Sequence, residues 1–192
     1  YVGIDLGTAN SCVSYTEGDG SVKLLHVNDH MTMPSIVTFT DKGIFVGHDA
    51  MELKDVSGTW NTASHFKRVL GEDVVRIFND KPYSPTDLSA ILLKKLRMEF
   101  RKQTGFDVKD VVITIPGDYG DIEKHSTYNA ARIAGFEDIT LLSESSAAAI
   151  SYGMSKGTDN DRLMIIYDLG GGTLDVSVVE MSNGRFRVLA DE

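Results

Sequence analysis

The chain has 192 residues and a formal net charge of −9, from 19 Lys and Arg against 28 Asp and Glu. Hydrophobic residues make up 42% and charged residues 24% of it, which is ordinary for a globular protein and excludes a disordered tail or a coiled-coil rod. The acidic balance argues against a protein that coats nucleic acid, so no nucleic-acid partner is expected. No apolar run reaches the ~18 residues of a membrane span, and no membrane partner is expected. The single cysteine, Cys12, excludes an intramolecular disulfide.

The N-terminal part alternates short apolar segments with polar turns, which predicts strands. These are Val2–Asp5, Cys12–Tyr15, Val22–Val27, Ile36–Phe39 and Ile44–Val46. Between residues 47 and 83 the pattern is weaker. It indicates a short helix near Ala63–Leu70 and a strand at Val74–Phe78. The chain begins at Tyr1 inside the first strand, so we expect the native N-terminus to lie upstream.

The clearest helix is predicted from Pro85 to Thr104. Ser84 is suited to cap it, Pro85 to its first turn and Gly105 to its end. Its apolar residues recur every four positions, which predicts one buried stripe: Leu88, Leu92, Leu96 and Phe100. The same stretch holds a basic cluster that we interpret as a solvated face, comprising Lys94, Lys95, Arg97, Arg101 and Lys102.

The C-terminal half mixes strands with helices. A continuous β-branched run predicts a buried strand at Val111–Ile115, ended by Pro116. Helices are predicted at Asp121–Ala134 and Glu144–Met154, and a polar linker at Gly157–Asp161. Further strands are predicted at Ile139–Leu142, Leu163–Asp168, Leu174–Met181 and Phe186–Leu189. This order predicts an α/β protein with mixed sheets rather than a βαβ repeat.

One short motif occurs twice. Asp5-Leu6-Gly7 and Asp168-Leu169-Gly170 each end an apolar strand, turn, and return as a second strand. One such tripeptide is typical of an ordinary β-turn, but two copies in matching contexts favour phosphate binding. Glycine lets backbone amides approach an anion, and an aspartate at the strand end offers the oxygen ligands that Mg²⁺ prefers. The sequence contains no P-loop, no Gly-x-Gly-x-x-Gly fingerprint, no zinc motif and no serine-hydrolase elbow.

Six segments, taken together and in this order, resemble the nucleotide-binding domain of the 70-kDa heat-shock chaperones (DnaK type), within the actin/hexokinase ATPase superfamily. They are Ile4–Cys12, Phe66–Gly71, Val112–Pro116, Ala131–Gly135, Glu144–Ala149 with Tyr152-Gly153, and Asp168–Ser177. The resemblance covers almost the whole chain, and it is that of a divergent member.

The resemblance implies an actin-like (ribonuclease H-like) ATPase lobe with a mixed sheet and flanking helices, plus a small α+β subdomain. Residues 1–34 and 85–157 would form the core subdomain of this lobe, and residues 35–84 the small one. Residues 158–192 would be the first strands of a second lobe whose remainder lies outside the chain. Open sheet edges there predict a dimer or a strand swap.

The resemblance also implies roles for individual residues in binding and hydrolysing ATP. Mg²⁺ would be held through its waters by Asp5 and Asp168. The phosphates of ATP or ADP would be bound by two loops, comprising Gly7, Thr8 and Ala9, and Gly170, Gly171, Gly172 and Thr173. Catalytic roles fall to Lys67 at the γ-phosphate, Glu144 near the metal, and Asp175 at the attacking water. The isolated chain is expected to be nearly inactive because most of the second lobe is absent.

Partners implied by the resemblance are client polypeptides, bound through a C-terminal domain outside this chain, a J-domain co-chaperone and a nucleotide exchange factor. A cytoplasmic location is expected, and an organellar location stays open as an alternative because the native N-terminus is expected upstream. The chain also departs from the family pattern. Ala9 replaces a usual threonine, and residues 117–121 read Gly-Asp-Tyr-Gly-Asp where the family has Ala-Tyr-Phe-Asn-Asp. These departures favour one alternative, a non-hydrolysing nucleotide-binding scaffold or co-chaperone of the same family. A further alternative is a sugar kinase of the superfamily, which shares the two phosphate hairpins, but the segments Phe66–Gly71 and Glu144–Ala149 argue against it.

Overall fold

The computed structural model describes residues 1–57, 61–156, 161–171 and 173–191. The N-terminal half consists mainly of short strands: β1 (Val2–Asp5), β2 (Asn10–Thr16), β3 (Val22–Leu24), β4 (Met33–Pro34), β5 (Ile36–Thr40), β6 (Gly43–Val46), α1 (His48–Ser57), β7 (Thr62–Ser64), β8 (Arg76–Phe78) and β9 (Lys81–Tyr83). Longer elements follow: α2 (Pro85–Thr104), β10 (Asp110–Ile115), α3 (Asp121–Ala134), β11 (Asp138–Ser143), α4 (Glu144–Lys156), β12 (Arg162–Leu169), β13 (Leu174–Ser182) and β14 (Arg185–Asp191). The predicted α/β class with mixed sheets is confirmed.

The largest sheet has six strands in the order β11-β10-β1-β2-β3, with β4 paired to β2. β1, β10 and β11 run parallel, whereas β2 runs antiparallel to β1. Parallel strands end at the same edge of a sheet, so the ends of these three strands lie side by side. In register, Asp5 pairs with Thr114, and Ile115 pairs with Ser143, which immediately precedes α4. This edge carries the candidate site.

The two long helices have the ends that the sequence predicts. Ser84 caps α2, because its hydroxyl accepts the Asp87 amide at 3.1 Å and the Asp87 carboxylate accepts the Ser84 amide at 2.9 Å. Gly105 ends α2 in the left-handed conformation. Arg97 fastens α2 to α3 through a hydrogen bond to the Ala134 carbonyl. The basic cluster on α2 is partly neutralised, with Lys95 and Lys102 both paired to Glu99.

A second, smaller sheet has the order β6-β5-β7, beside the β8–β9 hairpin. Phe39 and Phe78 stack at 4.3 Å and join these two parts. The helix predicted near Ala63–Leu70 is wrong. Residues 62–64 instead form β7 against β5, and only a four-residue 3-10 turn, Phe66–Val69, follows. The reason is His65, whose left-handed backbone (φ 57°) separates the strand from the turn and prevents one continuous helix.

Two predicted strands are shorter in the structure. β3 ends at Leu24, although the Leu25 amide still donates to the Val13 carbonyl of β2 at 2.9 Å, and Val27 forms only an isolated bridge with His30. The strand predicted at Val74–Phe78 is formed only from Arg76. The predicted linker, Gly157–Asp161, lies almost wholly outside the described residues.

The last three strands form a separate sheet in the order β12-β13-β14. On β12 alternate residues point to opposite faces, and one face exposes four large apolar side chains: Leu163, Ile165, Tyr167 and Leu169. The main core lies elsewhere, between α2, α3, the six-stranded sheet and the β6-β5-β7 sheet, where Leu92, Leu93 and Ile113 are fully buried. Among the described residues, every helix is too short or too polar to cross a membrane.

Candidate functional site

A cleft of about 780 Å³ opens where the ends of the central strands meet the turn between β12 and β13. Its wall contains every site residue predicted from the sequence that the structure describes. These are Asp5, Gly7, Thr8, Ala9, Lys67, Glu144, Asp168, Gly170, Gly171, Thr173 and Asp175. Gly172, the remaining predicted residue, lies outside the described residues. Residues separated by more than 160 positions thus converge on one space.

The loop between β1 and β2 forms one wall of the cleft. Gly7 is required there, because a Cβ at this position would overlap the Asn10 carbonyl oxygen. The buried Ser35 holds the loop from below: its hydroxyl donates to the Gly7 carbonyl at 2.7 Å, and its amide donates to the Ala9 carbonyl at 2.8 Å. In a planar trans peptide the N–H points opposite to the C=O. The Thr8 amide therefore points away from Ser35 and is free of that contact.

Asp5 lies at the end of β1 and is oriented by a neighbouring strand. The Thr114 hydroxyl donates to its Oδ1 at 2.9 Å, as the parallel β1–β10 register allows. On the other side Asp5 is the cross-strand partner of Cys12. Burial and then the Asp5 charge raise the pKa of the Cys12 thiol above its usual value, so the thiol stays protonated. Cys12 is half-buried and supports the strand pair.

The turn between β12 and β13 forms the opposite wall. The Gly170 amide donates to the Thr173 carbonyl at 3.0 Å and closes this turn. Gly171 packs directly against Ala9 of the first loop, so that a Cβ at Gly171 would overlap the Ala9 methyl. The Arg68 guanidinium reaches the Gly171 carbonyl at 3.5 Å. The two turns that share the Asp-Leu-Gly motif therefore face each other and touch.

Lys67 and Glu144 form an ion pair deep in the cleft. Lys67 Nζ lies 2.7 Å from Glu144 Oε1, and the side chains are 8% and 15% exposed. Lys67 lies in the 3-10 turn, whereas Glu144 is the first residue of α4. Burial raises the pKa of the Glu144 carboxyl, the nearby Lys67 opposes that effect, and the charges of Asp5 and Asp168 add to it. Glu144 thus lies close enough to both aspartates to be influenced by their charge.

The second hairpin brings two carboxylates together. Asp168 on β12 and Asp175 on β13 are direct cross-strand partners. Burial raises the pKa of Asp175, a hydrogen bond from the Thr173 side chain lowers it, and the charges of Asp118 and Asp168 raise it again. A half-buried carboxylate with a raised pKa, in the same cleft as Lys67, is suited to accept a proton or to orient water.

Several residues that line the cleft or hold its lining residues in place were not found by sequence reasoning. Thr114 and Ser35 interrupt apolar strands with a hydroxyl, which is a weak signal of a polar contact. Tyr119 gave no such signal: it follows Pro116 in the loop before α3, and its hydroxyl donates to the Lys67 carbonyl at 3.2 Å. Burial and then the Glu144 charge raise the pKa of this phenol well above its usual value.

The donor set of the cleft is suited to Mg²⁺ with a phosphate ligand rather than to a metal held by protein alone. Within the described ranges, no three His, Cys, Asp or Glu side chains converge tightly enough to hold a metal. Asp5 and Asp168 do line the same space from opposite walls. Mg²⁺ usually keeps several waters and is bound by one or two carboxylates plus phosphate oxygens, which this arrangement can supply.

Comparison with known proteins identifies the family. The model of the Hsp70 protein family matches residues 1–77 and 73–192, which together span the chain. The chain is also 39% identical over 189 residues to the chaperone protein DnaK of Mycoplasma mobile. That match covers 98% of this chain but only 31% of the DnaK protein, so the chain spans about a third of its relative's length. Because the family model matches along the whole chain, the chain belongs to the Hsp70 protein family.

Proposed function

We propose that this chain is the N-terminal part of a nucleotide-binding domain that binds ATP and ADP with Mg²⁺ and hydrolyses ATP. The observation that carries the proposal is the convergence of two Asp-Leu-Gly turns on one cleft, which the Lys67–Glu144 ion pair also lines. Two facing turns can grip a polyphosphate from both sides. Membership of the Hsp70 family supports the same assignment.

In this proposal the two turns bind the phosphates. The Thr8 amide and hydroxyl act from the first turn, and the loop 170–173 acts from the second. Ala9 has no hydroxyl, so its contribution is limited to the backbone. Asp5 and Asp168 would hold Mg²⁺ through its waters, and the ion would supply positive charge to the phosphate oxygens. Thr114 keeps the Asp5 carboxylate oriented for this task.

Hydrolysis in this proposal depends on positioning and charge, as phosphoryl transfer requires. Lys67 contributes its ammonium to the terminal phosphate and orients the attacking water. Glu144 fixes the place of that ammonium through the 2.7 Å ion pair. Asp175, whose pKa is raised by burial, accepts the proton that the attacking water loses.

The wider architecture and partners follow from the same proposal. Residues 1–34 and 85–157 form the core subdomain of an actin-like ATPase lobe, residues 35–84 its small subdomain, and residues 158–192 the first strands of a second lobe. In the whole protein, the nucleotide state would control the binding of client polypeptides by another domain, with a J-domain co-chaperone and an exchange factor as partners. The cytoplasm is the proposed location.

Calorimetric titration of the chain with MgADP and MgATP tests the binding site. We expect measurable binding that Asp5→Asn weakens by about 10- to 100-fold, since one lost charged interaction costs about 1.5–3 kcal/mol. Asp41→Asn is the matched control, because Asp41 is exposed at the β5–β6 turn, away from the cleft. Equal affinities in the wild type and in both variants would contradict the proposed site.

Turnover distinguishes an ATPase from a nucleotide-binding scaffold. In the full-length protein that carries this chain, we expect slow ATP hydrolysis that Lys67→Ala abolishes while MgADP still binds. Lys109→Ala is the control, since Lys109 forms its ion pair on the surface. Nucleotide binding without any turnover in the wild type would instead support the scaffold.

A further inference from the structure

Two groups of Lys67 are held by neighbouring residues: its side-chain ammonium and its main-chain carbonyl. The ammonium pairs with Glu144, while the Lys67 carbonyl accepts two hydrogen bonds, one from the Leu70 amide at 3.2 Å and one from the Tyr119 hydroxyl at 3.2 Å. The Leu70 bond is local to the turn. The Tyr119 bond comes from a loop 52 positions away, before α3.

The turn that carries Lys67 is short, and its own hydrogen bonds are those from the Arg68 amide to the His65 carbonyl at 3.1 Å and from the Leu70 amide to the Lys67 carbonyl at 3.2 Å. It is a single 3-10 turn of four residues, preceded by His65 in the left-handed conformation. Such short turns have poor hydrogen-bond geometry and depend on outside contacts for their orientation. The direction of the Lys67 main chain, and with it the start of a long flexible side chain, is therefore set by neighbours such as Tyr119.

Tyr119 is suited to act as a permanent donor. Its ring is half-buried and lines the cleft together with Lys67 and Asp175. Burial and the surrounding carboxylates raise the pKa of the phenol, so the hydroxyl keeps its proton throughout the physiological range. Gly71, which follows the turn, packs closely against Ile122 and Glu123 at the start of α3. The segment that carries Lys67 therefore has a second contact with the region around Tyr119.

We infer that Tyr119 is a positioning residue for the phosphate site: its hydroxyl holds the Lys67 main chain so that the ammonium is presented to the cleft beside Glu144. The inference rests on the proposed function, because it assigns Lys67 to the terminal phosphate. It adds a residue to which the sequence resemblance gives no role.

The variant Tyr119→Phe removes the hydroxyl and keeps the ring. We expect the Leu70 amide, which shares the Lys67 carbonyl, to exchange with deuterium about three- to tenfold faster, the range of one net hydrogen bond. MgATP affinity of the chain should fall by a similar factor, and MgADP affinity should stay within about twofold, because only the terminal phosphate requires Lys67. Tyr128→Phe, on the partly exposed side of α3, is the matched control and should change neither value.

The outcomes separate this inference from the proposed function. Unchanged Leu70 exchange in Tyr119→Phe, or an equal loss of MgATP and MgADP affinity, would overturn the role of Tyr119 while wild-type binding left the proposed function intact. A wild-type chain that binds neither nucleotide would overturn the proposed function and the role of Tyr119 with it. A circular dichroism melt of both variants checks that the fold is retained.

Discussion

Lys67 and Glu144 are paired at 2.7 Å, and so are Lys109 and Glu137, yet the two ion pairs differ in their surroundings. The first pair is 8% and 15% exposed, the second 55% and 60%. A charge removed from water depends on its partner, whereas water and salt can replace the partner of an exposed charge. The two pairs therefore allow a buried and an exposed ion pair with the same Nζ–Oε1 distance to be compared within one protein.

Replacing Lys67 with methionine should destabilise the chain in a pH-dependent way. The variant leaves the Glu144 carboxylate buried without its cation, and we expect a loss of about 1–3 kcal/mol in the free energy of unfolding at pH 7. Burial already raises the pKa of Glu144, and loss of Lys67 raises it further. The folded variant then binds a proton at a pH where the unfolded chain does not, so its stability falls as the pH rises. The loss in the free energy of unfolding relative to the wild type should therefore disappear near pH 4. Urea denaturation at pH 4 and at pH 7 measures it.

Lys109→Met is the control for this measurement, because it removes the exposed member of an equally short pair. Little change in stability is expected at either pH. A deficit in Lys67→Met that is the same at pH 4 and pH 7 would show that lost packing, and not the unpaired carboxylate, explains the effect.

The cross-strand pair Asp168–Asp175 predicts a gain of stability for Asp175→Asn. Like charges placed directly opposite on two strands are destabilising, by about 0.2–1 kcal/mol. Burial, together with Asp118 and Asp168, raises the pKa of Asp175 above that of an unfolded aspartate. The cost is therefore absent below about pH 4 and complete at neutral pH. In thermal melts, the midpoint of Asp175→Asn should be higher than that of the wild type at pH 7 and equal to it at pH 3. The midpoint of Asp41→Asn should equal that of the wild type at both pH values.

Ser35→Ala should destabilise the first turn of the cleft. The hydroxyl donates to the Gly7 carbonyl and lies 3.0 Å from the Ser11 hydroxyl, in a place that is 3% exposed. Its removal leaves these two groups buried with fewer partners, at a cost of about 1–3 kcal/mol by urea denaturation. Ser89 is the control: it is fully buried, but its hydroxyl has no hydrogen-bond partner among the described residues. Ser89→Ala should be neutral or stabilising, and equal losses in both variants would contradict the assignment.

The exposed face of β12 predicts self-association of the chain. Ile165 is 62% exposed within a row of apolar neighbours, whereas Ile133 on α3 is 60% exposed as a single residue. Salt screens the repulsion expected from the net charge of −9, so association should increase with both protein and NaCl concentration. Light scattering coupled to size exclusion should show that Ile165→Glu lowers the mean mass and Ile133→Glu does not. A monomer at all concentrations would refute the prediction.

The elements that the sequence predicts well are those with local physical signals. Helix α2 carries a cap at Ser84, a proline in its first turn and a terminal Gly105, and it begins and ends as expected. The duplicated Asp-Leu-Gly motif also led to both walls of the cleft. Each of these signals is contained in a few neighbouring residues, so no knowledge of the tertiary structure is needed to read it.

The residues that sequence reasoning missed depend on contacts between distant segments. Residues 62–64 form a strand because β5 is available as a partner, which overrides the weak helical pattern of Ala63–Leu70. Tyr119 and Lys67 meet across 52 positions, and Ser35 and Gly7 across 28. Such contacts are determined by how the sheets pack, and no periodicity in the chain reports them.

The position of Ser35 also has a mechanical consequence. It lies just before β5, at the start of the β6-β5-β7 sheet. Its hydroxyl and its amide nevertheless donate hydrogen bonds to the Gly7 and Ala9 carbonyls in the loop between β1 and β2. A small rotation of the β6-β5-β7 sheet would pull on the Gly7 carbonyl and turn the whole Gly7–Thr8 peptide plane with it. The Thr8 amide would then change direction at the wall of the cleft. Because such linkage is reciprocal, an anion that fixes the amide would in turn bias the angle of the sheet.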